Sequence, residues 1–146
     1  MDFDPRSDYP LGAQRPELAT TPSGVPLGDV TLDAVRTGRV AADDIRATPE
    51  TLRLQAEVAR SADREALAAN LERAAELAAV PAETILEIYT ALRPGRASGA
   101  ELVAWAERLD TKFSAPLVAA FVREAAAAYA DRGLLREHEH EPAPAV

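Results

Sequence analysis

Residues 48–98 read TPETLRLQAEVARSADREALAANLERAAELAAVPAETILEIYTALRPGRAS, and the punctuation of this stretch decides the fold class. Thr48-Pro49-Glu50 is a helix start. Thr caps the free amides, Pro takes the first helical position where its missing N–H costs nothing, and Glu meets the positive end of the macrodipole. Leu52, Gln55, Ala56 and Ala59 then mark one helical face, and Leu54 and Val58 a second, to about Arg60. Asp63 is the expected cap of the next helix, whose stripe of Leu67, Leu71, Ala74 and Ala78 runs to about Ala79. Val80-Pro81 ends it, because a residue before proline avoids the α region. A third helix follows, with Ile85, Ile88, Tyr89 and Leu92 at i, i+3, i+4 and i+7, and Arg93-Pro94-Gly95 stops it.

The same signals continue downstream. Ser98 and Glu101 have capping-box spacing, and the helix they open places Leu102, Trp105, Ala106 and Leu109 on one face. The stripe fit marks Trp105 as a core residue. Ser114 is the expected cap of a last helix from about Ala115 to Arg132, lined by Val118, Phe121, Val122, Ala125 and Tyr129. Gly133 suits the left-handed stop, with Leu134 folding back on Tyr129. Residues 136–146 are charged and then Pro/Ala-rich, the composition of a disordered tail.

Upstream, Thr31 can cap a short helix through Leu32 and Val35 to Gly38, and Val40 to Arg46 gives another turn. Residues 1–28 carry Pro5, Pro10, Pro16, Pro22 and Pro26, which forbid a long helix or a central strand. Two readings stand for this arm: a disordered tail, or an extended arm lying on a partner with Tyr9 and Leu11 as anchors. The expected architecture is thus all-α: an arm over 1–28, a small helical bundle over 29–135 with short connections, and a tail over 136–146.

Composition narrows function by exclusion. A net charge of −8 is repelled by nucleic acid. No apolar run is long enough to span a bilayer. The N-terminus, with Asp2, Asp4 and Asp8, lacks the apolar core of a signal peptide, so the cytoplasm is expected. With Cys absent, disulfides, thiolate nucleophiles and Cys-based metal sites are excluded.

Candidate chemistry is sparse. His138 and His140 alternate with glutamates in a tail that fixes no ligand geometry. The pairs Asp43/Asp44, Glu72/Glu76 and Glu83/Glu87 fall on expected polar faces, whereas acid–base work needs a carboxylate perturbed by a pocket. Neither phosphate-binding glycine pattern is present. Catalytic, cofactor-binding and metal residues are therefore all expected to be none.

Two features point to a partner. Arg53, Arg73, Arg93, Arg96 and Arg123 interrupt apolar helical segments, and arginine is the cation suited to interfaces. Several helices are also apolar on more than one face, more than a small bundle can bury. The expected partner contacts are Tyr9, Leu11, Arg53, Arg73, Arg93 and Arg123.

Between Asp8 and Leu135 the stretches DYPLG, DVTLDAV, RATPETLRLQAEVA, NLERAAELAAVP, ILEIYTALRPGRAS and AAFVREAAAAYADR follow a known order and spacing. The chain resembles the small subunit of adenosylcobalamin-dependent diol dehydratase and glycerol dehydratase. Ala47 and Gly95 depart from that pattern, each where a bulkier residue is expected, and diol and glycerol both stay open as substrate. The resemblance implies a dimer of heterotrimers of large, medium and small subunits. It places adenosylcobalamin between the large and medium subunits and the catalytic residues in the large one. The implied reaction is a radical conversion of a 1,2-diol or glycerol to an aldehyde, with the small subunit packed on the large one. Such an enzyme is expected free in the cytoplasm, or enclosed in a bacterial microcompartment as cargo addressed by another subunit. A stand-alone helical adaptor is the rival reading.

Overall fold

The computed structural model describes residues 3–136, and the expected tail beyond them lies outside the described residues. Thr48 starts the central element as read: its Oγ1 accepts from the Thr51 amide at 3.2 Å, with Pro49 in the first turn. Seven helices follow the chain among the described residues: α1 (Leu11–Gln14), α2 (Leu32–Arg36), α3 (Pro49–Ser61), α4 (Glu65–Leu77), α5 (Ala82–Ala91), α6 (Gly99–Phe113) and α7 (Pro116–Asp131). The only extended pairing described is a single bridge between Thr20 and Pro26.

The chain divides into two compact units, Met1–Ala79 and Val80–Val146. The division falls between Ala79 and Val80, and the arm lies in the same unit as α3 and α4. Nor is the arm uniformly extended. It holds α1 and two single 3₁₀ turns, Pro16–Leu18 and Leu27–Asp29, because proline is acceptable in a first turn. Arg15 ties it down, pairing with Asp8 at 2.7 Å and Glu17 at 2.5 Å.

In the first unit α3 and α4 form a hairpin. Ala56, Ala59 and Ala68 make its buried seam, and Leu71 packs against them. Alanine on both sides lets the two backbones approach closely, at the expense of apolar area per residue. The turn between them corrects one expectation. Asp63 does not cap α4; it ends α3 in the left-handed conformation, at φ +58°. The Asp63 amide donates to the Arg60 carbonyl at 3.0 Å and the Arg64 amide to Ala59 at 2.9 Å, the paired bonds of a Schellman stop. Asp is among the few side chains tolerated there, which is why its N-cap and C′ uses look alike in sequence. Ser114 is misread for the same reason. It ends α6 at φ +52° and ψ +43°, and Ala115 occupies the cap position of α7.

In the second unit α6 and α7 form the main hairpin. Leu102, Ala106 and Leu109 from α6 meet Val118, Ala119, Val122 and Ala126 of α7, all buried. Leu102, Leu109 and Val122 are the largest side chains fully removed from solvent. The Ser98 box forms as read: Ser98 N–H donates to Glu101 Oε2 at 2.7 Å, and Glu101 N–H to Ser98 Oγ at 3.3 Å. At the far end of α7, Gly133 at φ +63° gives a second Schellman stop, with the Leu134 amide on the Tyr129 carbonyl at 2.9 Å. Tyr129 Oη donates to the Leu92 carbonyl at 2.6 Å, linking α7 to the end of α5.

Candidate interaction surfaces

The helices leave bulky apolar side chains outside. On α5, Thr84 and Ile88 are buried, whereas Leu86 and Tyr89, one turn apart, are 64% and 65% exposed. Tyr89 therefore leaves the core stripe expected of it, as do Leu67 and Phe121, both more than a third exposed. The cause is local. α5 is apolar around most of its circumference, and its own unit covers only the Thr84/Ile88 side.

Two open grooves accompany these faces. One, of about 720 Å³, lies in the second unit between α5 and the start of α6, lined by Glu83, Leu86, Glu87, Arg96, Glu101 and Trp105 among others. Trp105 is half-buried there and not a core residue, and the Arg108 guanidinium sits 4.9 Å from its ring centre. Glu101 is engaged by Ser98 and by Arg136 at 2.7 Å. The Ser98 backbone N–H and then the Arg136 guanidinium hold its carboxyl below the usual carboxylate range. The other groove, about 590 Å³, lies in the first unit, where Pro5, Arg6 and Tyr9 of the arm face Val58 of α3 and Leu67 and Leu71 of α4.

The expected partner contacts scatter across both units. Tyr9 is 62% exposed on the first-unit groove. Leu11 is 8% exposed and so presents little surface. Arg53 and Arg93 are exposed. Arg73 is half-buried and donates to Asn70 Oδ1 on its own helix. Arg123 is half-exposed and pairs with Asp110 at 3.4 Å. Four of the six lie in the first unit and two in the second. Sequence reasoning missed Arg6, Arg64, Leu86 and Tyr89 as surface groups. The signal available for the last two was the second apolar face of α5, which names a helix but not which side its unit covers.

Chemistry does not converge anywhere in this set. Among the described residues no group of three or more His, Cys, Asp or Glu could hold a metal ion. His138 and His140 lie outside the described residues. Glu83 and Glu87 stand exposed on α5, Asp43 is exposed beside a half-buried Asp44, and Glu72 pairs with Arg60 at 2.8 Å. No helix among the described residues is long and apolar enough to cross a membrane.

Alanine-seamed hairpins, dispersed charge and uncovered apolar faces define a helical interaction subunit. The chain belongs to the dehydratase small subunit family, whose model matches residues 5–136. That membership makes it one subunit of a dehydratase, with partner subunits implied. It is 53% identical over 130 residues to the propanediol dehydratase small subunit of Citrobacter freundii, covering 89% of this chain and 76% of that protein. To the propanediol dehydratase small subunit of Salmonella typhimurium (strain LT2) it is 52% identical over 130 residues, covering 89% and 75%.

Proposed function

We infer that this chain is the non-catalytic small subunit of a coenzyme B12-dependent propanediol dehydratase, packing on the large subunit of a dimer of heterotrimers. The observation that carries this reading is the identity of 52–53% to propanediol dehydratase small subunits along nearly the whole described chain. The structure supports it through what its residues can and cannot do. Bulky apolar groups such as Leu86 and Tyr89 remain to be covered, and the described residues hold no imidazole or thiolate.

The family implies adenosylcobalamin in the assembled enzyme, where it supplies radical chemistry. The described residues of the larger groove do not suit that group. Cobalamin presents a phosphate and a metal, whereas the larger groove carries Glu83, Glu87 and Glu101, and the described chain has no His or Cys to offer cobalt. In this reading the cofactor and the reacting diol belong to the larger subunits, and this chain contributes assembly. The complex works in the cytoplasm, free or as cargo addressed by another subunit. Exposed Tyr9, Arg53 and Arg93 are its available partner contacts.

The test is reconstitution. The chain is co-expressed, tagged, with the large and medium subunits, and aldehyde formation from 1,2-propanediol and glycerol is followed with adenosylcobalamin. The expected result is a stable complex, more active on propanediol, whose activity or solubility falls when this chain is omitted. A monomeric chain that captures neither subunit, or a fully active complex without it, would refute the reading.

A further inference from the structure

We propose that the first-unit groove between the arm and the α3–α4 hairpin is the seat of an acidic, apolar segment of a larger dehydratase subunit, one that sets an Asp or Glu beside an aliphatic or aromatic side chain. The proposal rests on the reading of the chain as a dehydratase small subunit and adds the face and the chemistry of its partner.

The groove has an apolar floor and a cationic rim. Val58, Leu67 and Leu71 form the floor, Tyr9 stands beside it, and Arg6 and Arg64 supply the charge. No acidic residue lines it, in a chain whose net charge is −8. Several carboxylates on the same segments are already engaged, and the exposed Glu57 and Asp63 lie outside the lining. Asp4 accepts the Arg6 backbone amide and the Ser7 hydroxyl, each within 3.0 Å. Asp8 accepts the Asp4 amide at 3.0 Å and the Arg15 guanidinium at 2.7 Å. Glu65 and Glu72 both pair with Arg60, at 3.2 and 2.8 Å. Among the described residues the Arg64 guanidinium makes no ion pair and the Tyr9 hydroxyl no hydrogen bond, while Arg6 acts on the Asp4 carboxylate through its charge without a close ion pair. Guanidiniums beside an apolar floor recognise a carboxylate and its apolar neighbour together, because arginine is weakly hydrated and forks onto carboxylates. The Glu-lined groove of the second unit would repel the same segment.

The experiment uses the full chain with its co-expressed large and medium subunits. In one arm, association is titrated against NaCl for the wild type, Arg6→Glu/Arg64→Glu and Arg6→Lys/Arg64→Lys, with circular dichroism checking helicity. The reversal should weaken association about tenfold at low salt and remove its salt dependence, while the lysine pair stays within about twofold. In the other arm, a photo-crosslinking amino acid replaces Tyr9 in the assembled enzyme, and the captured peptide is sequenced. It should come from a larger subunit and contain an acidic residue next to an apolar one. Unchanged affinity and salt slope for the reversal would overturn the proposal. So would a crosslink to residues 137–146 of this chain, to a second copy, or to a segment without a carboxylate. A wild-type chain that binds neither subunit would overturn the proposal together with the functional reading. Binding and activity that survive the reversal unchanged would overturn the proposal alone.

Discussion

Replacing Leu109 with alanine tests how the second unit is held together. Leu109 is fully buried on α6, in a core that also holds Leu102, Val118, Val122 and the alanines Ala106, Ala115, Ala119 and Ala126. The substitution removes three buried carbons, about 2.4 kcal/mol at roughly 0.8 kcal/mol per methylene. A cavity term adds to this, and its size depends on how far the surroundings collapse. Here they collapse little. Alanine has no rotamer with which to fill space, and four of the buried neighbours are alanines. The expected cost is therefore about 3–4 kcal/mol, within the range of roughly 2.7–5 kcal/mol measured for such truncations in a well-packed core. For a chain of this size that lowers the midpoint of thermal unfolding by about 10 °C. The assay is thermal and urea unfolding followed by circular dichroism, with Leu86→Ala as the control, since Leu86 is 64% exposed. The control should move the isolated chain by less than about 0.5 kcal/mol. A Leu109→Ala cost below about 1.5 kcal/mol, or one equal to that of Leu86→Ala, would refute the claim that the alanine seam is rigid.

Asp63→Gly should stabilise the chain by about 0.5–1 kcal/mol, because glycine adopts the left-handed conformation at φ +58° without the Cβ conflict; a lower midpoint would count against the Schellman assignment. Tyr129→Phe should cost about 1–2 kcal/mol by stranding the Leu92 carbonyl that its hydroxyl meets at 2.6 Å, and urea unfolding would read the loss. The carboxyl of Glu101 is held below its ordinary value by the Ser98 N–H and then Arg136, so the charged form is the one the folded state favours. Its stabilising contribution is present above the unfolded value near 4.5 and is lost as pH falls through the lower folded value. Glu101→Gln should accordingly reduce stability at pH 7 and make the acid limb of the stability curve shallower, as measured by urea midpoints from pH 7 to pH 3.

Local signals were legible and tertiary ones were not. Thr31, Thr48 and Ser98 each cap the helix that follows, because a cap is settled by a side chain and an amide three residues away. Gly133 stops α7 for an equally local reason. Asp63 and Ser114 were misread where one short polar side chain serves both ends of helices, and only the backbone dihedral separates the two uses. Leu11 gave no periodic signal from within a proline-rich segment, yet it is buried. Tyr89, Leu67 and Phe121 have correct core spacing but stand partly in solvent, because spacing says which residues share a face and not whether anything covers that face. The first-unit groove joins Tyr9 to Leu67, a juxtaposition that no pattern within one helix can reveal.

The division of labour in this chain follows from alanine. Alanine favours helix and lines the α3–α4 seam at Ala56, Ala59 and Ala68, while on α6 and α7 it shares the seam with Leu102, Leu109, Val118 and Val122. Close seams bury little apolar area per residue, so each unit keeps few large groups inside: Leu102, Leu109 and Val122 in the second, and none among the fully buried residues of the first. The leucines and aromatics that would have filled a wider core stand on the outside instead, at Tyr9, Leu67, Leu86 and Tyr89. The chain therefore reaches a settled helical structure through caps and turns while leaving its largest apolar contacts for another surface. Widening a seam to take those side chains inward would strengthen the isolated chain and remove the exposed apolar groups proposed as partner contacts. For a subunit whose contribution is assembly, the alanine seams and the exposed bulky residues are two consequences of one compositional choice.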